Sequence, residues 1–344
     1  MIKEALNALA SDLAGRYGDG WYGGSKYAIE IYEKVEKLAR KIFNTKHAFI
    51  TPISGNICDL AIIFSFTRAG DEIVSIPKEH GGYPLSFKKF ERRFYPLPMK
   101  DYVIDEEKIE ERKVPLVLIA SSIILFPHPL RRIAKKFDSV IAYDASHVLG
   151  LIAGGQFQQP LKEGANIMIG SPHKSFPGPQ GGIVLTNDDE IAEKLAPYLL
   201  FDYEQGIGLI DNPHLNRIAC LGIVMEGMNG KHHAKQIVRN AKYLAKCLDE
   251  LGIAVKYAEK GYTESHQILL DFEAFNYFKK LEENNIFIDC IGRMGVAEAT
   301  YIGMKEKEME KIAHMMADVY KGKNVKEEAS KMAREFYMSI GNII

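Results

Sequence analysis

Lys174 is the residue of this sequence that is best placed for covalent chemistry. It lies in the segment Ser171-Pro172-His173-Lys174, directly after the apolar run at residues 165–170, and a turn rich in glycine and proline follows it. A lysine held at the end of a buried strand is partly desolvated, and desolvation lowers the pKa of its amine toward neutrality. An unprotonated amine can form a Schiff base with an aldehyde, so Lys174 is a candidate nucleophile.

A carboxylate, Asp144, follows a second strand-like run at residues 140–143, and it precedes the lysine by 174 − 144 = 30 residues. That separation is about the length of one strand–helix–strand unit, which would deliver the carboxylate beside the lysine. Pyridoxal phosphate (PLP) requires such a pair, because an acidic group keeps its pyridine nitrogen protonated and its ring able to accept electrons. Either residue alone is typical of a solvated strand end or a helix cap, but together they indicate PLP chemistry.

The elements that would position these residues are short apolar runs that alternate with helical patterns over residues 45–200. Runs without polar alternation are typical of parallel strands that are covered on both faces. The predicted strands are residues 48–51, 72–76, 116–120, 140–143, 167–169 and 182–185. Helical spacing at residues 57–68 and 130–137 lies between them, so we predict an α/β fold with a doubly wound, mostly parallel sheet.

The pattern changes after about residue 212. Two long helices are predicted at residues 213–228 and 234–251, followed by strands at 254–257 and 267–271 and by helices at 306–320 and 326–336. The predicted organisation is an N-terminal arm of helices at residues 1–44, a large α/β domain at 45–211, bridging helices at 212–250 and a small α+β domain at 251–344.

The composition is that of an ordinary globular protein, with 344 residues, 47% hydrophobic and 26% charged, and a formal net charge of −1. No general attraction to nucleic acid or to a membrane surface is expected from this charge. The four cysteines have no CxxC spacing, so we expect them to be reduced and buried. The N-terminal residues resemble an amphipathic helix rather than a signal peptide, and no apolar stretch has the length of a membrane span. A cytoplasmic location is therefore expected.

Several segments, taken in order, resemble the serine hydroxymethyltransferases. These are fold-type I, aspartate aminotransferase-like PLP enzymes that interconvert serine and glycine and pass a one-carbon unit to a reduced pterin. The resemblance extends from about residue 2 to residue 312, and it is the ordered set that is specific. The segments are residues 17–27 (YGDGWYGGSKY), Ser54-Gly55-Asn56, His80-Gly81-Gly82-Tyr83, Asp144-Ala145-Ser146-His147-Val148-Leu149-Gly150-Leu151, Ser171-Pro172-His173-Lys174, Gly178-Pro179-Gln180-Gly181-Gly182, Thr263-Glu264-Ser265-His266 and Gly292-Arg293-Met294-Gly295.

The resemblance implies a set of cofactor contacts. Lys174 would hold PLP as a Schiff base, Asp144 would face the pyridine nitrogen, and His147 would lie near the ring. Ser54, Gly55 and Asn56 open a helix whose N-terminal amides would attract the phosphate. The further contacts that it implies are Tyr83 stacked on the ring, Ser122, Ser171 and His173, with Tyr17 and Gly206 reaching the site of a second subunit.

The resemblance also implies substrate contacts and a homodimer with shared active sites. Arg293 would bind the substrate carboxylate, because a planar guanidinium suits a carboxylate better than an ammonium does. Asp19 would exchange a proton with the β-hydroxyl group, and Tyr22 would donate a hydrogen bond in the neighbouring site. The implied reaction is reversible Cα–Cβ cleavage of serine, or of a related β-hydroxy amino acid, to glycine.

The sequence departs from the family pattern at several of these positions. Asp19 stands in place of glutamate, Tyr83 in place of histidine and Gln180 in place of arginine, and no Ser-Glu-Asn segment precedes Tyr17. The PLP chemistry is thus better supported than the use of a pterin such as tetrahydrofolate. The alternatives are a pterin-independent aldolase of threonine type, another PLP enzyme such as a decarboxylase, racemase or aminotransferase, and a degenerate binding protein without catalysis.

Overall fold

The computed structural model describes residues 1–18, 20, 22–202, 204, 206–228 and 230–339. The chain divides into two compact units. The first comprises Met1–Ser122, His128–Ala153 and Gln158–Met228, and the second comprises Ile123–Pro127, Gly154–Phe157 and Asn229–Ile344.

A seven-stranded sheet is the centre of the first unit. The strands of this unit are β1 (His47–Phe49), β2 (Glu72–Ser75), β3 (Arg93–Pro96), β4 (Met99–Lys100), β5 (Val103–Ile104), β6 (Leu116–Ala120), β7 (Val140–Asp144), β8 (Ile167–Gly170) and β9 (Ile183–Thr186). The sheet has the order β1-β9-β8-β7-β6-β2-β3, and β4 and β5 pair separately. Strands β8, β7, β6, β2 and β3 are parallel, whereas β9 is antiparallel to β1 and β8. The prediction of a mostly parallel sheet is confirmed.

Helices cover this sheet. In the first unit they are α1 (Lys3–Leu9), α2 (Ser25–Phe43), α3 (Gly55–Phe66), α4 (Leu130–Lys136), α5 (Leu149–Ala153), α6 (Pro160–Glu163), α7 (Asp189–Leu199) and α8 (Leu215–Gly227). Helix α3 is apolar around most of its circumference because it packs against β7, β8 and β9 and also against α7. All five residues of β6 are buried, as its unbroken apolar run predicts.

The second unit is helical with one small sheet. Its elements are α9 (Gly230–Glu250), β10 (Gln267–Leu269), α10 (Phe275–Glu283), β11 (Arg293–Gly295), α11 (Ala297–Tyr301), α12 (Glu306–Tyr320) and α13 (Lys326–Ser339). Strands β10 and β11 are antiparallel, and α9 packs along α12. The predicted strand at residues 254–257 is wrong, since only a single bridge joins Val255 to Leu270. Tyr257 has a left-handed φ of 64°, which ends the extended backbone there.

The cysteine prediction is correct for two residues and wrong for two. Cys58 and Cys220 are buried, but Cys247 is partly exposed and Cys290 is exposed, and all four are free thiols. Across the described ranges, no helix is long and apolar enough to cross a membrane.

Candidate active site

The candidate site lies where β7 and β8 end in the first unit. These neighbouring strands are parallel, with Asp144 opposite Ile169, so the loops that follow them leave the sheet at the same edge. Asp144 is the last residue of β7, and Lys174 lies in the loop after β8. Asp144 is buried and Lys174 is half-buried. The Lys174 charge lowers the pKa of Asp144, as expected for two groups at adjoining strand ends.

Burial is the main influence on Asp144. The residue is 6% exposed, and desolvation raises the pKa of its carboxyl group above the usual value for aspartate. Two influences lower the pKa of Asp144 and so oppose the effect of burial. One is the charge of Lys174, and the other is the backbone N–H of Ser146, which donates to Asp144 Oδ1 at 2.8 Å. His147 follows in the same turn and is half-buried. The loop therefore holds a buried carboxylate whose negative charge is supported from two sides.

The N-terminus of α3 meets the loops after β7 and β8. Ser54 caps this helix, because its hydroxyl oxygen accepts a hydrogen bond from the Ile57 N–H at 3.3 Å. A β-carbon on Gly55 would lie 2.5 Å from Ser171 Oγ and 3.0 Å from Ser146 Oγ. The Ser171 N–H donates to Ser146 Oγ at 3.0 Å. Since the first-turn amides of a helix lack acceptors within the helix, they and the serine hydroxyls form a cradle suited to an anion.

Tyr83 lies beside this helix terminus. Its hydroxyl group is 3.4 Å from Asn56 Oδ1, to which it donates, and its backbone N–H donates to Ala120 O at 3.0 Å. Burial raises the pKa of Tyr83, and the charges of Asp59 and Asp144 raise it further. Tyr83 is thus within electrostatic reach of the candidate site.

Two further residues in these loops were candidates for cofactor contacts. The Ser122 N–H donates to Gly81 O at 2.7 Å, so Ser122 fixes the turn that carries Tyr83. His173 precedes Lys174, and partial burial together with the Lys174 charge lowers the pKa of its imidazole.

The remaining candidates are Tyr17, Tyr22, Gly206, Asp19 and Arg293. Tyr17 and Tyr22 are 52% and 57% exposed, and their rings stack with centroids 5.6 Å apart. Gly206 has a left-handed φ of 97°. Asp19 lies outside the described residues. Arg293 belongs to the second unit, where its Nε donates to Asp289 Oδ2 at 2.7 Å and its backbone N–H donates to Asp289 Oδ1 at 2.8 Å.

Asp59 is a residue that the sequence analysis missed. It is fully buried on α3, and neither of its side-chain oxygens has a hydrogen-bond partner in the described part of the chain. Burial, and secondarily the charge of Asp144, raises the pKa of Asp59 well above the usual value, while Lys174 lowers it. The available signal was an acidic residue within an apolar helix, four positions after Gly55.

The residues present fit pyridoxal phosphate. The serine-lined cradle that a β-carbon on Gly55 would fill suits a phosphate, and a buried aspartate and a half-buried lysine lie at the adjoining strand ends. Fold and site together define a PLP-dependent enzyme of the α/β transferase type.

Comparisons with known proteins give the family. The serine hydroxymethyltransferase family model matches residues 1–289. The chain is 38% identical to the serine hydroxymethyltransferase of Methanothermobacter marburgensis, over 97% of this chain and 86% of that protein. It is 36% identical to the serine hydroxymethyltransferase of Korarchaeum cryptofilum, over 96% of this chain and 87% of that protein. This chain belongs to the serine hydroxymethyltransferase family, as its motifs predict, and is an enzyme of that class.

A solved structure supports the fold. The chain resembles L-threonine transaldolase from Pseudomonas fluorescens with a TM-score of 0.86 and 24% sequence identity, over 98% of this chain and 85% of that one. The predicted fold class is therefore confirmed, and the family implies PLP as the cofactor.

Proposed function

We propose that this protein catalyses reversible Cα–Cβ cleavage of serine, or of a closely related β-hydroxy amino acid, to glycine, with a reduced pterin such as tetrahydrofolate as the one-carbon acceptor. The observation that carries the proposal is the position of Asp144 and Lys174, which lie at and just after the ends of two neighbouring parallel strands. Bound PLP supplies an electron-accepting ring for the electrons that bond cleavage releases.

The residues at the strand ends have separate roles in this proposal. The Lys174 amine would hold the cofactor through its aldehyde group. Asp144 would support a proton on the ring nitrogen, and its own charge is supported by the Ser146 N–H. Ser54, Gly55, Asn56 and Ser171 would bind the phosphate. Tyr83 would contact the aromatic ring, and Ser122, His147 and His173 would complete the cofactor contacts.

The substrate is oriented by Arg293, whose guanidinium binds the carboxylate. The Nε of that guanidinium donates to Asp289 Oδ2, which fixes the side chain. Asp19 would exchange the proton of the β-hydroxyl group, and its side chain is one methylene shorter than that of a glutamate. These roles follow from the family pattern.

The family pattern assigns the exposed tyrosine pair to a subunit interface. Tyr17 and Tyr22 are exposed, and their rings stack on each other within a glycine-rich segment, so a partner subunit could cover them. We propose a homodimer in which Tyr17, Tyr22 and Gly206 contribute to the neighbouring site. Mixing the two single variants Lys174→Ala and Tyr22→Phe tests sharing, because recovery of activity in mixed dimers requires residues from both chains. A chain that sediments as a 38.7 kDa monomer while active contradicts the proposal.

The experiment that tests the reaction measures glycine formation from serine with and without tetrahydrofolate. We expect turnover that depends on the pterin. Cleavage of threonine or allo-threonine to glycine that is independent of pterin, without turnover of serine, would instead identify an aldolase. The cytoplasmic location remains a prediction, which fractionation of the native cells tests.

A further inference from the structure

Asp59 is a fully buried acid that the proposed reaction does not use. It lies four residues after Gly55 on α3, and residues separated by four positions share a helix face. The Gly55 end of that face contacts the Ser146 and Ser171 hydroxyls, and α3 packs against β7 and β8. Asp59 is therefore on the helix face that is turned toward the end of β7, where Asp144 lies.

The two carboxyl groups have unequal support for a negative charge. Asp144 accepts a hydrogen bond from the Ser146 N–H and is stabilised by the Lys174 charge, which is the second largest influence on it. Asp59 has no hydrogen-bond partner among the described residues, and the Asp144 charge opposes its ionisation. Burying an ionised carboxylate without partners is far more costly than burying a neutral acid. These differences favour Asp59 over Asp144 as the carrier of a proton.

The other titratable groups around Asp59 do not alter this assignment. Cys58 and Tyr83 interact with it, and burial raises the pKa of both, so both are neutral at pH 7. Strand β9 has no titratable side chain, and the charged residues of α7 are exposed, namely Asp189, Glu190, Glu193 and Lys194. With Asp144 ionised and Asp59 protonated, the two buried carboxyl groups have a single negative charge between them.

Building on the proposed function, we propose that Asp59 is a positioning residue: a permanently protonated acid on α3 that confines the single negative charge of the pair to Asp144, where the ring nitrogen of PLP binds. Two carboxylates in one low-dielectric site cannot both ionise at little cost, so one of them must carry the proton. Asp144 has a hydrogen-bond donor and a nearby positive charge, whereas Asp59 has no hydrogen-bond partner among the described residues, so Asp59 is the one that carries the proton.

Infrared spectroscopy of the cofactor-free protein at pH 7 tests the protonation state directly. We expect a C=O stretching band of a protonated carboxyl group that is present in the wild type, absent in Asp59→Asn and retained in Asp189→Asn. Asp189 is a matched control because it is exposed and its pKa is lowered by Lys46 and His47, so it is ionised. A wild type without the band, or a band that survives in Asp59→Asn, overturns the proposal.

The pH dependence of the melting temperature Tm is a second test. If Asp59 only filled space in the core, the effect of its replacement on Tm would not depend on pH. The pKa of Asp59 is higher in the folded state than in the unfolded state, so the protonated side chain favours folding. This contribution to the free energy of unfolding is complete at pH values below the pKa of the unfolded state. It is lost as the pH rises through the pKa of the folded state. The Tm of Asp59→Asn relative to wild type therefore rises with pH, whereas that of Asp189→Asn falls as pH rises from acid to neutral. A pH-independent difference for Asp59→Asn contradicts the proposal.

Binding of PLP separates this proposal from the proposed function. We expect Asp59→Asn to weaken PLP binding far less than Asp144→Asn does. Equal losses would show that Asp59 itself carries the charge, which overturns the proposal. A wild type that binds no PLP overturns the proposed function, while the infrared band of the cofactor-free protein still decides the protonation of Asp59.

Discussion

Gly55 and Ser171 approach so closely that a β-carbon on Gly55 would lie 2.5 Å from Ser171 Oγ. This contact places the first turn of α3 directly against the loop that leads to Lys174. The helix terminus that would bind an anion therefore packs directly on the loop that contains Lys174. Only a residue without a side chain allows α3 and Ser171 to lie this close together.

Gly55→Ala tests the close approach between α3 and Ser171. Its methyl group must displace Ser171 and Ser146, so we expect a loss of stability of about 1–3 kcal/mol, the usual range for overpacking. We also expect PLP to bind about tenfold more weakly, which corresponds to about 1.4 kcal/mol. Gly15→Ala is the control, because no atom lies within 4 Å of a β-carbon there. Unchanged PLP affinity in Gly55→Ala, measured by absorbance titration, would show that the cradle does not hold the phosphate.

Asp144→Asn tests the buried charge. The variant keeps the shape of the side chain but removes the charge that Lys174 and the Ser146 N–H support. We expect kcat for serine cleavage to fall about a hundredfold or more, as with other losses of a preorganised electrostatic group. The exposed Asp138→Asn is the control. If steady-state kinetics give the wild-type kcat for Asp144→Asn, Asp144 does not face the cofactor ring.

Arg293→Lys tests substrate binding. Replacing a planar guanidinium by an ammonium removes bidentate recognition of a carboxylate, so we expect KM for serine to rise about tenfold or more. Affinity for PLP should stay near the wild-type value. Arg239→Lys is matched, since Arg239 is a surface arginine of the same unit that pairs with Glu306. The assignment fails if the Arg293 and Arg239 variants have the same KM.

His128 makes the stability of the protein sensitive to acid. Its ring is fully buried near Tyr143, and burial lowers its pKa to about 4. An unfolded histidine titrates near 6.5, so the unfolded state binds the extra proton between pH 6.5 and 4 and stability falls across that window. The difference of about 2.5 pKa units corresponds to about 3 kcal/mol.

Denaturant unfolding at pH 6.5 and pH 4 measures this effect. Between pH 6.5 and pH 4, we expect the free energy of unfolding to fall by about 3 kcal/mol less in His128→Phe than in the wild type. His314→Gln, at an exposed position, should follow the wild type. Equal acid sensitivity in the wild type and the His128 variant would rule out a buried neutral histidine.

Unbroken apolar runs were sufficient to predict the central strands, because strands buried on both faces leave no room for polar alternation. β6 is the clearest case, with Leu116–Ala120 predicted and observed at the same bounds. β3 was missed because it is an edge strand in which Arg93, Phe94 and Pro96 are exposed, so its residues have no such signature.

The site was less accessible to sequence reasoning than the sheet. Asp144 and Lys174 follow strands, and parallel topology brings strand ends together, so their meeting could be anticipated. The burial of Asp59 depends on the packing of α3 against β7 and β8, which local sequence does not encode. Tyr17, Tyr22 and Arg293 were assigned from family motifs, and those assignments remain predictions.

The most direct test of the central claim is borohydride reduction of the PLP-loaded protein followed by peptide mapping with mass spectrometry. Reduction converts a Schiff base into a stable secondary amine, which marks the lysine that held the cofactor. We predict one phosphopyridoxyl group per chain, on the peptide that contains Lys174, and no label on it in Lys174→Ala. A label at another lysine in the wild type, or no label at all, would contradict the account.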